Sequence, residues 1–180
     1  EGIALIDGTP FRSLPRPART VGALLNPEWI NPQMTGRSHL RMVADYAGLS
    51  TSLADEALEA FGLAGAEKRK VAGYSLGMRQ RLGAASALIG DPANVILDEP
   101  VNGLDPTWMA RIREELVRRA QQEGTTILLL GSDKRPEGGG ELGRHVEVQH
   151  VAGVVLDDLD DAVAAVRGLR GLEDLQRGGA

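Results

Sequence analysis

The chain contains no cysteine, so disulfides and thiolate metal sites are excluded. Aromatic residues are only 3% of the total, and small aliphatic side chains must therefore fill the core. No run of about 18 apolar residues occurs, so no membrane-spanning helix is expected, and no secretory leader is visible. The three histidines have no zinc-ligand spacing. Basic residues are outnumbered: the net charge is −5 and the pI about 5.3, which argues against a general nucleic-acid binder. What remains is 180 residues with 42% hydrophobic and 25% charged, enough for one globular domain with a real core. The first residue is Glu1 rather than methionine, which hints at a fragment or a processed chain.

The stretch from Lys70 to Pro106 is the most informative. Ser75 is placed to cap a helix, and Gly77 permits close backbone approach. Met78, Leu82, Ala85 and Ile89 recur at helical spacing, with Arg79, Gln80 and Arg81 as polar interruptions. Gly90, Asp91 and Pro92 stop the helix. A helix N-terminus can hold an anion such as phosphate, although a capped core helix is the plainer reading. Val95, Ile96 and Leu97 then form a short apolar run, expected as a buried parallel strand. Asp98 and Glu99 follow at its end. Ligands of open α/β sheets sit at the carboxyl ends of strands, so two acids there suit a metal-water ligand and a water-polarising base. A solvated turn before Pro100 is the alternative.

Around this centre, Val21 to Leu25 reads as a strand ending at Asn26-Pro27. Thr35 caps a helix through Tyr46, with Leu40, Val43 and Ala47 on one side and Tyr46 expected in the core. Trp29 is left open between core and contact surface. Ser52 starts a second helix that Gly62 ends. Thr107 is expected to cap a further helix striped by Met109, Ile112, Leu116 and Ala120. Gly124 ends that helix, and Thr125 to Leu130 follow as a strand, giving a βαβ order. Val146, Val148 and Val151, then Val154 to Leu156, read as terminal strands, and Leu159, Ala162, Val163 and Val166 as a last helical stripe.

Tyr74-Ser75-Leu76-Gly77-Met78, followed by Val95 to Glu99 and then Val101 to Pro106, resembles the signature, Walker B and D-loop order of the ATP-binding cassette (ABC) transporter ATPase domain. YSLGMRQRL with ILDEPVNGLDP is most similar to the bacterial drug, bacitracin and lantibiotic export branch. The resemblance implies an α/β fold: a P-loop NTPase-like partial parallel sheet with a helical signature subdomain. It divides the chain into 1–34 (core-sheet remnant and Q-loop-like region), 35–90 (helical signature subdomain), 91–156 (Walker B and D-loop sheet) and 157–180 (C-terminal helix and tail). It implies ATP and Mg²⁺ as cofactors, with Asp98 holding the metal through water and Glu99 polarising the attacking water. Ser75 and Gly77 would touch the nucleotide of an opposite subunit, and Asp105 would report across that dimer. Asn26 matches the Q-loop glutamine, a metal and partner sensor. Implied partners are a second nucleotide-binding subunit and a transmembrane permease, with the chain peripheral at the inner face of the membrane.

There are departures from the pattern. Leu76 and Met78 replace a signature glycine and glutamine. Asp133 stands where a switch histidine is expected, and a carboxylate there would repel phosphate. The chain has no Gly-Lys-Ser/Thr string, and its first lysine is Lys68. The expectation is therefore an N-terminally truncated ATPase subunit of an export system. The alternative is a degenerate, non-hydrolysing regulatory partner, or an inactive fragment, donating only the signature face. A serine hydrolase is disfavoured, because Ser75 has no Gly-x-Ser-x-Gly elbow.

Overall fold

The computed structural model describes residues 5–6, 9–132 and 144–149. The expected strands at Val151 and Val154 to Leu156, the last helical stripe and Asp133 lie outside them.

A short hairpin, β1 (Leu5–Ile6) with β2 (Thr9–Pro10), precedes a one-turn helix, α1 (Pro17–Thr20), which starts on a proline whose fixed φ suits that position. The main sheet has four strands in the order β3 (Val21–Leu24), β4 (Asn94–Asp98), β5 (Thr126–Ser132) and β6 (Arg144–Gln149). The first three are parallel and β6 is antiparallel to β5. Gly22, Val95 and Ile127 lie side by side, as do Leu24, Leu97 and Leu129. The α/β class with a partial parallel sheet is thus as expected. Only alternate positions of β3 are buried, Gly22 and Leu24, whereas Ala23 is exposed.

Between β3 and β4 run three helices: α2 (Gly36–Tyr46), α3 (Leu53–Ala60) and α4 (Leu76–Leu88). Thr35 caps α2 by accepting from the Ser38 amide at 3.1 Å, as its position predicts. Ser52 makes no such bond, so α3 starts without a side-chain cap. Leu40, Leu58, Leu63, Val71, Tyr74 and Leu82 form one buried cluster among these helices. Leu24, Leu88, Val95, Leu97, Ile112, Leu116 and Ile127 form a second, between the sheet, α4 and α5 (Pro106–Arg118).

Helix α4 takes part in both clusters and is buried nearly all round, the pattern of a central helix. It lies so close to β3 that a Cβ on Gly22 would run into the Ala87 carbonyl oxygen. Gly83 of α4 makes room for Leu24 in return.

Two expectations are corrected. Tyr46 is 81% exposed rather than in the core, because the buried face of α2 carries His39, Leu40 and Ala44 and Tyr46 falls off it. Helix α5 is capped by Asp105, which accepts from the Trp108 amide at 3.1 Å, and Thr107 lies inside the helix. Pro106 at the first helical position explains the difference, since it fixes the residue before it as the cap. Trp29 is 74% exposed.

Candidate functional site at the carboxyl edge of the sheet

Because β3, β4 and β5 run in one direction, their carboxyl ends share one edge. Asn26, Asp98 and Glu99 all leave the sheet there. Strand β4 is internal, so its two acids sit at the middle of the edge.

Asp98 is the last residue of β4, opposite Leu130. Alternation places Val95 and Leu97 against the helices and Asp98 on the other face, where it is half-buried. Its carboxylate makes no hydrogen bond or ion pair among the described residues. Glu99 then turns sharply, with φ at +46°, a left-handed value uncommon for a side-chain-bearing residue. Its amide donates to Leu130 O at 2.8 Å, and its carboxylate Oε2 accepts from Asn102 Nδ2 at 3.3 Å.

Ser75 caps α4, accepting from the Met78 amide at 3.2 Å, and stays exposed. Helix geometry leaves the Leu76 and Gly77 amides without an intrahelical acceptor. This first turn packs on the loop that follows Glu99. A Cβ on Gly77 would come within 2.8 Å of Gly103 O, and one on Gly103, at φ +74°, within 2.6 Å of Leu76 Cδ2. Deeper in, Gln80 Nε2 donates to Glu99 O at 2.6 Å. The fold thus brings Ser75 and Gly77 onto the segment that carries Asp98, Glu99 and Asp105, although 19 residues separate Gln80 from Glu99.

Two other expected residues have local tasks here. Asn26 Oδ1 accepts from the Glu28 amide at 2.8 Å and caps a 3-10 turn, Pro27–Trp29. Asp105 is engaged as the cap of α5. Among the described residues, no group of three or more His, Cys, Asp or Glu could hold a metal. A single unpaired carboxylate such as Asp98 fits Mg²⁺ of the kind that keeps its waters and arrives with a phosphate ligand, and it does not fit a cation caged by protein alone.

Residues not singled out from sequence also belong to this constellation. Gln80, read there as a polar interruption, is 2% exposed. Arg81 fixes α4 to its neighbours: Nη1 donates to Gly62 O at 2.8 Å, and the guanidinium lies 4.7 Å from the centroid of the Trp108 ring on α5. Arg111 lies 5.0 Å from the same centroid, so two cations share one indole. A cleft of about 580 Å³ lies elsewhere, between α3, α4 and α5, lined by Phe61, Leu88, Trp108 and Ile112. It contains none of the expected site residues.

A central parallel strand ending in two acids, beside a capped helix turn packed on the following loop, defines the carboxyl edge of this α/β domain. Residues 1–102 match the family model described as ABC transporter, and the chain belongs to that family. It is similar to the bacitracin transport ATP-binding protein BcrA of Enterococcus faecalis, 43% identical over 111 residues, covering 61% of this chain and 36% of that protein. It is also similar to the lantibiotic transport ATP-binding protein SrtF of Streptococcus pyogenes, 36% identical over 114 residues, covering 63% of this chain and 49% of that protein. The chain therefore spans between about a third and a half of the length of these relatives. In fold it is similar to a dimeric, post-hydrolysis structure of the ATP-binding cassette MJ0796 bound to ADP and Pi. The TM-score is 0.63 at 20% identity, covering 72% of this chain and 62% of that one. No described helix is long and apolar enough to cross a membrane.

Proposed function

We propose that the chain carries the signature and acidic-strand part of an ATP-binding subunit that couples ATP binding and hydrolysis to export through a separate membrane permease. The observation that supports this most is the packing of the Ser75–Gly77 turn against the loop after Asp98 and Glu99, at the carboxyl edge of a parallel sheet. In this reading Glu99 orients a water on the terminal phosphate and accepts its proton, a task suited to a carboxylate held by its backbone and by Asn102. Asp98 would hold the water shell of Mg²⁺, which when bound neutralises charge on the phosphates. Ser75 and the free amides of its helix turn would face the nucleotide of a second nucleotide-binding subunit. Asn26 would sense the metal shell, and Asp105, besides capping α5, would sit at the subunit junction. The location that goes with this function is the cytoplasmic face of the membrane. Such a site also needs a Gly-rich loop to cradle phosphates, which these 180 residues do not contain. That cradle is assigned to polypeptide outside these 180 residues.

A second reading is a regulatory subunit that binds without hydrolysing. Asp133 favours it, because an acid following Gly131 and Ser132 opposes phosphate where an imidazole would help. ATP turnover separates the two. The chain is assayed alone and mixed with an intact ATP-binding cassette whose own water-orienting acid has been neutralised. Turnover that appears only in the mixture and disappears in Glu99→Gln supports hydrolysis at Glu99. ATP-dependent association with no turnover supports the regulatory role. Turnover by these 180 residues alone, abolished by Glu99→Gln, overturns the assignment of the phosphate cradle to polypeptide outside them.

A further inference from the structure

Gln80 lies in the second turn of α4, a helix otherwise packed with small and aliphatic residues. Its side chain is among the most deeply buried in the described residues. A buried amide with an unmet group is destabilising, and Oε1 of Gln80 has no partner among the described residues. Leucine or methionine would fill the same space without that cost, so packing does not explain the glutamine. Its one bond does. Nε2 donates to the backbone oxygen of Glu99, which also accepts from the Asn102 amide at 3.1 Å. With the Glu99 amide bound to Leu130 O, the peptide groups of Glu99 are held by β5, by α4 and by the following loop. This is the residue whose left-handed backbone is strained and persists only where its surroundings impose it.

We propose that Gln80 is a positioning residue. It locks the backbone of Glu99, sets the direction of the carboxylate, and ties that direction to the helix whose first turn carries Ser75 and Gly77. The proposal rests on the reading of Glu99 as the water-orienting acid. A helix moves as a unit over so short a distance, so a shift of the Ser75 turn on meeting a ligand reaches Glu99 through one hydrogen bond. The base is then correctly aimed only when the signature turn is seated.

The test uses the full chain with Gln80→Met, which keeps length and removes the donor. Amide hydrogen exchange is read at Glu99 and Asn102, with Met78 and Leu97 as internal controls. Protection at Glu99 and Asn102 is expected to fall about tenfold while the controls hold. Unchanged protection at both overturns the proposal. Gln80→Glu provides a rescue that a merely structural role would not show and that decides the matter should Gln80→Met not fold. Its carboxyl can donate to Glu99 O only while protonated, so protection should return at acidic pH and be lost at neutral pH. Protection factors independent of pH overturn the proposal. In the ATPase mixture, Gln80→Met should lower kcat about 10- to 100-fold and leave KM for ATP within about twofold. An unchanged kcat overturns it. Absence of turnover with the unmodified chain would count against the hydrolytic reading of Glu99, and the exchange result would still decide whether Gln80 holds its backbone.

Discussion

Asp91 and Glu99 bracket β4 and share a backbone state, with φ at +47° and +46°. Each is an acid, and each precedes a buried proline, Pro92 or Pro100. Their surroundings differ. Asp91 lies at the amino edge of the sheet, 71% of its side chain is exposed, and its carboxylate is bound by Arg119 Nη1 at 2.8 Å. Its bend ends α4 and turns the chain into β4. Glu99 lies at the carboxyl edge and is held through its backbone by Gln80, Leu130 and Asn102. The same strained conformation thus has two uses. At Asp91 it makes a turn, with a surface ion pair added. At Glu99 the protein commits buried groups to the backbone, the arrangement expected where the direction of a side chain matters.

The contrast can be broken most forcefully by neutralising each acid. Glu99→Gln should reduce ATP turnover in the mixture with an intact cassette by at least about 100-fold, with little change in stability. Asp91→Asn should leave turnover unchanged and alter stability by less than about 1 kcal/mol. Equal losses of turnover would erase the distinction. Next in size is Arg119→Ala. Arg119 also bridges Glu115 at 2.7 Å and is only 13% exposed, so its loss should cost about 1 kcal/mol in urea unfolding without touching turnover. Glycine substitutions sharpen the backbone half of the comparison. Glu99→Gly should leave stability unchanged or raise it by up to about 1 kcal/mol, since relief of the left-handed strain is offset in part by unfolded-state entropy. Asp91→Gly should lower stability by about 0.5 kcal/mol, because aspartate tolerates that conformation better and the Arg119 bridge is lost.

The smallest effect concerns pH. His39 is buried on α2, and burial lowers its pKa from the ordinary 6.5. Its Nε2 lies 2.9 Å from Ser86 Oγ, whose own proton goes to Leu82 O. The serine therefore accepts from Nε2–H, and Nδ1 is left buried without a partner among the described residues. The unfolded chain takes up a proton near 6.5 and the folded chain only at lower pH. Stability is therefore complete above 6.5 and declines as pH falls from there to the lowered value. A Tm series from neutral to mildly acidic pH should show this slope, and His39→Gln should flatten it.

Much of the architecture was legible in the chain. Thr35 and Ser75 were readable as caps because a hydroxyl before an apolar repeat is a local signal, and the strand at Val95 to Leu97 was readable from its apolar run. The acid pair at a parallel strand's end followed from the same run. What was missed depends on tertiary context. Tyr46 fits a helical stripe on paper, yet the partner helices cover a different arc of α2. Gln80 reads only as a polar interruption of the stripe until α4 is seen enclosed by two clusters. The bend at Glu99 has no sequence mark beyond Pro100, because two non-local hydrogen-bond partners, Gln80 and Leu130, help to impose it. The pairing of Gly77 with Gly103 is likewise a close approach that neither glycine announces alone.

The central claim is that the Ser75 turn presents itself to nucleotide held by another subunit. Sedimentation velocity of the chain mixed with an intact ATP-binding cassette, with and without Mg·ATP, tests it most directly. The account predicts a heterodimer that forms only with nucleotide and is lost in Ser75→Arg while the fold is kept. Association that ignores nucleotide, or that survives Ser75→Arg unchanged, would contradict it.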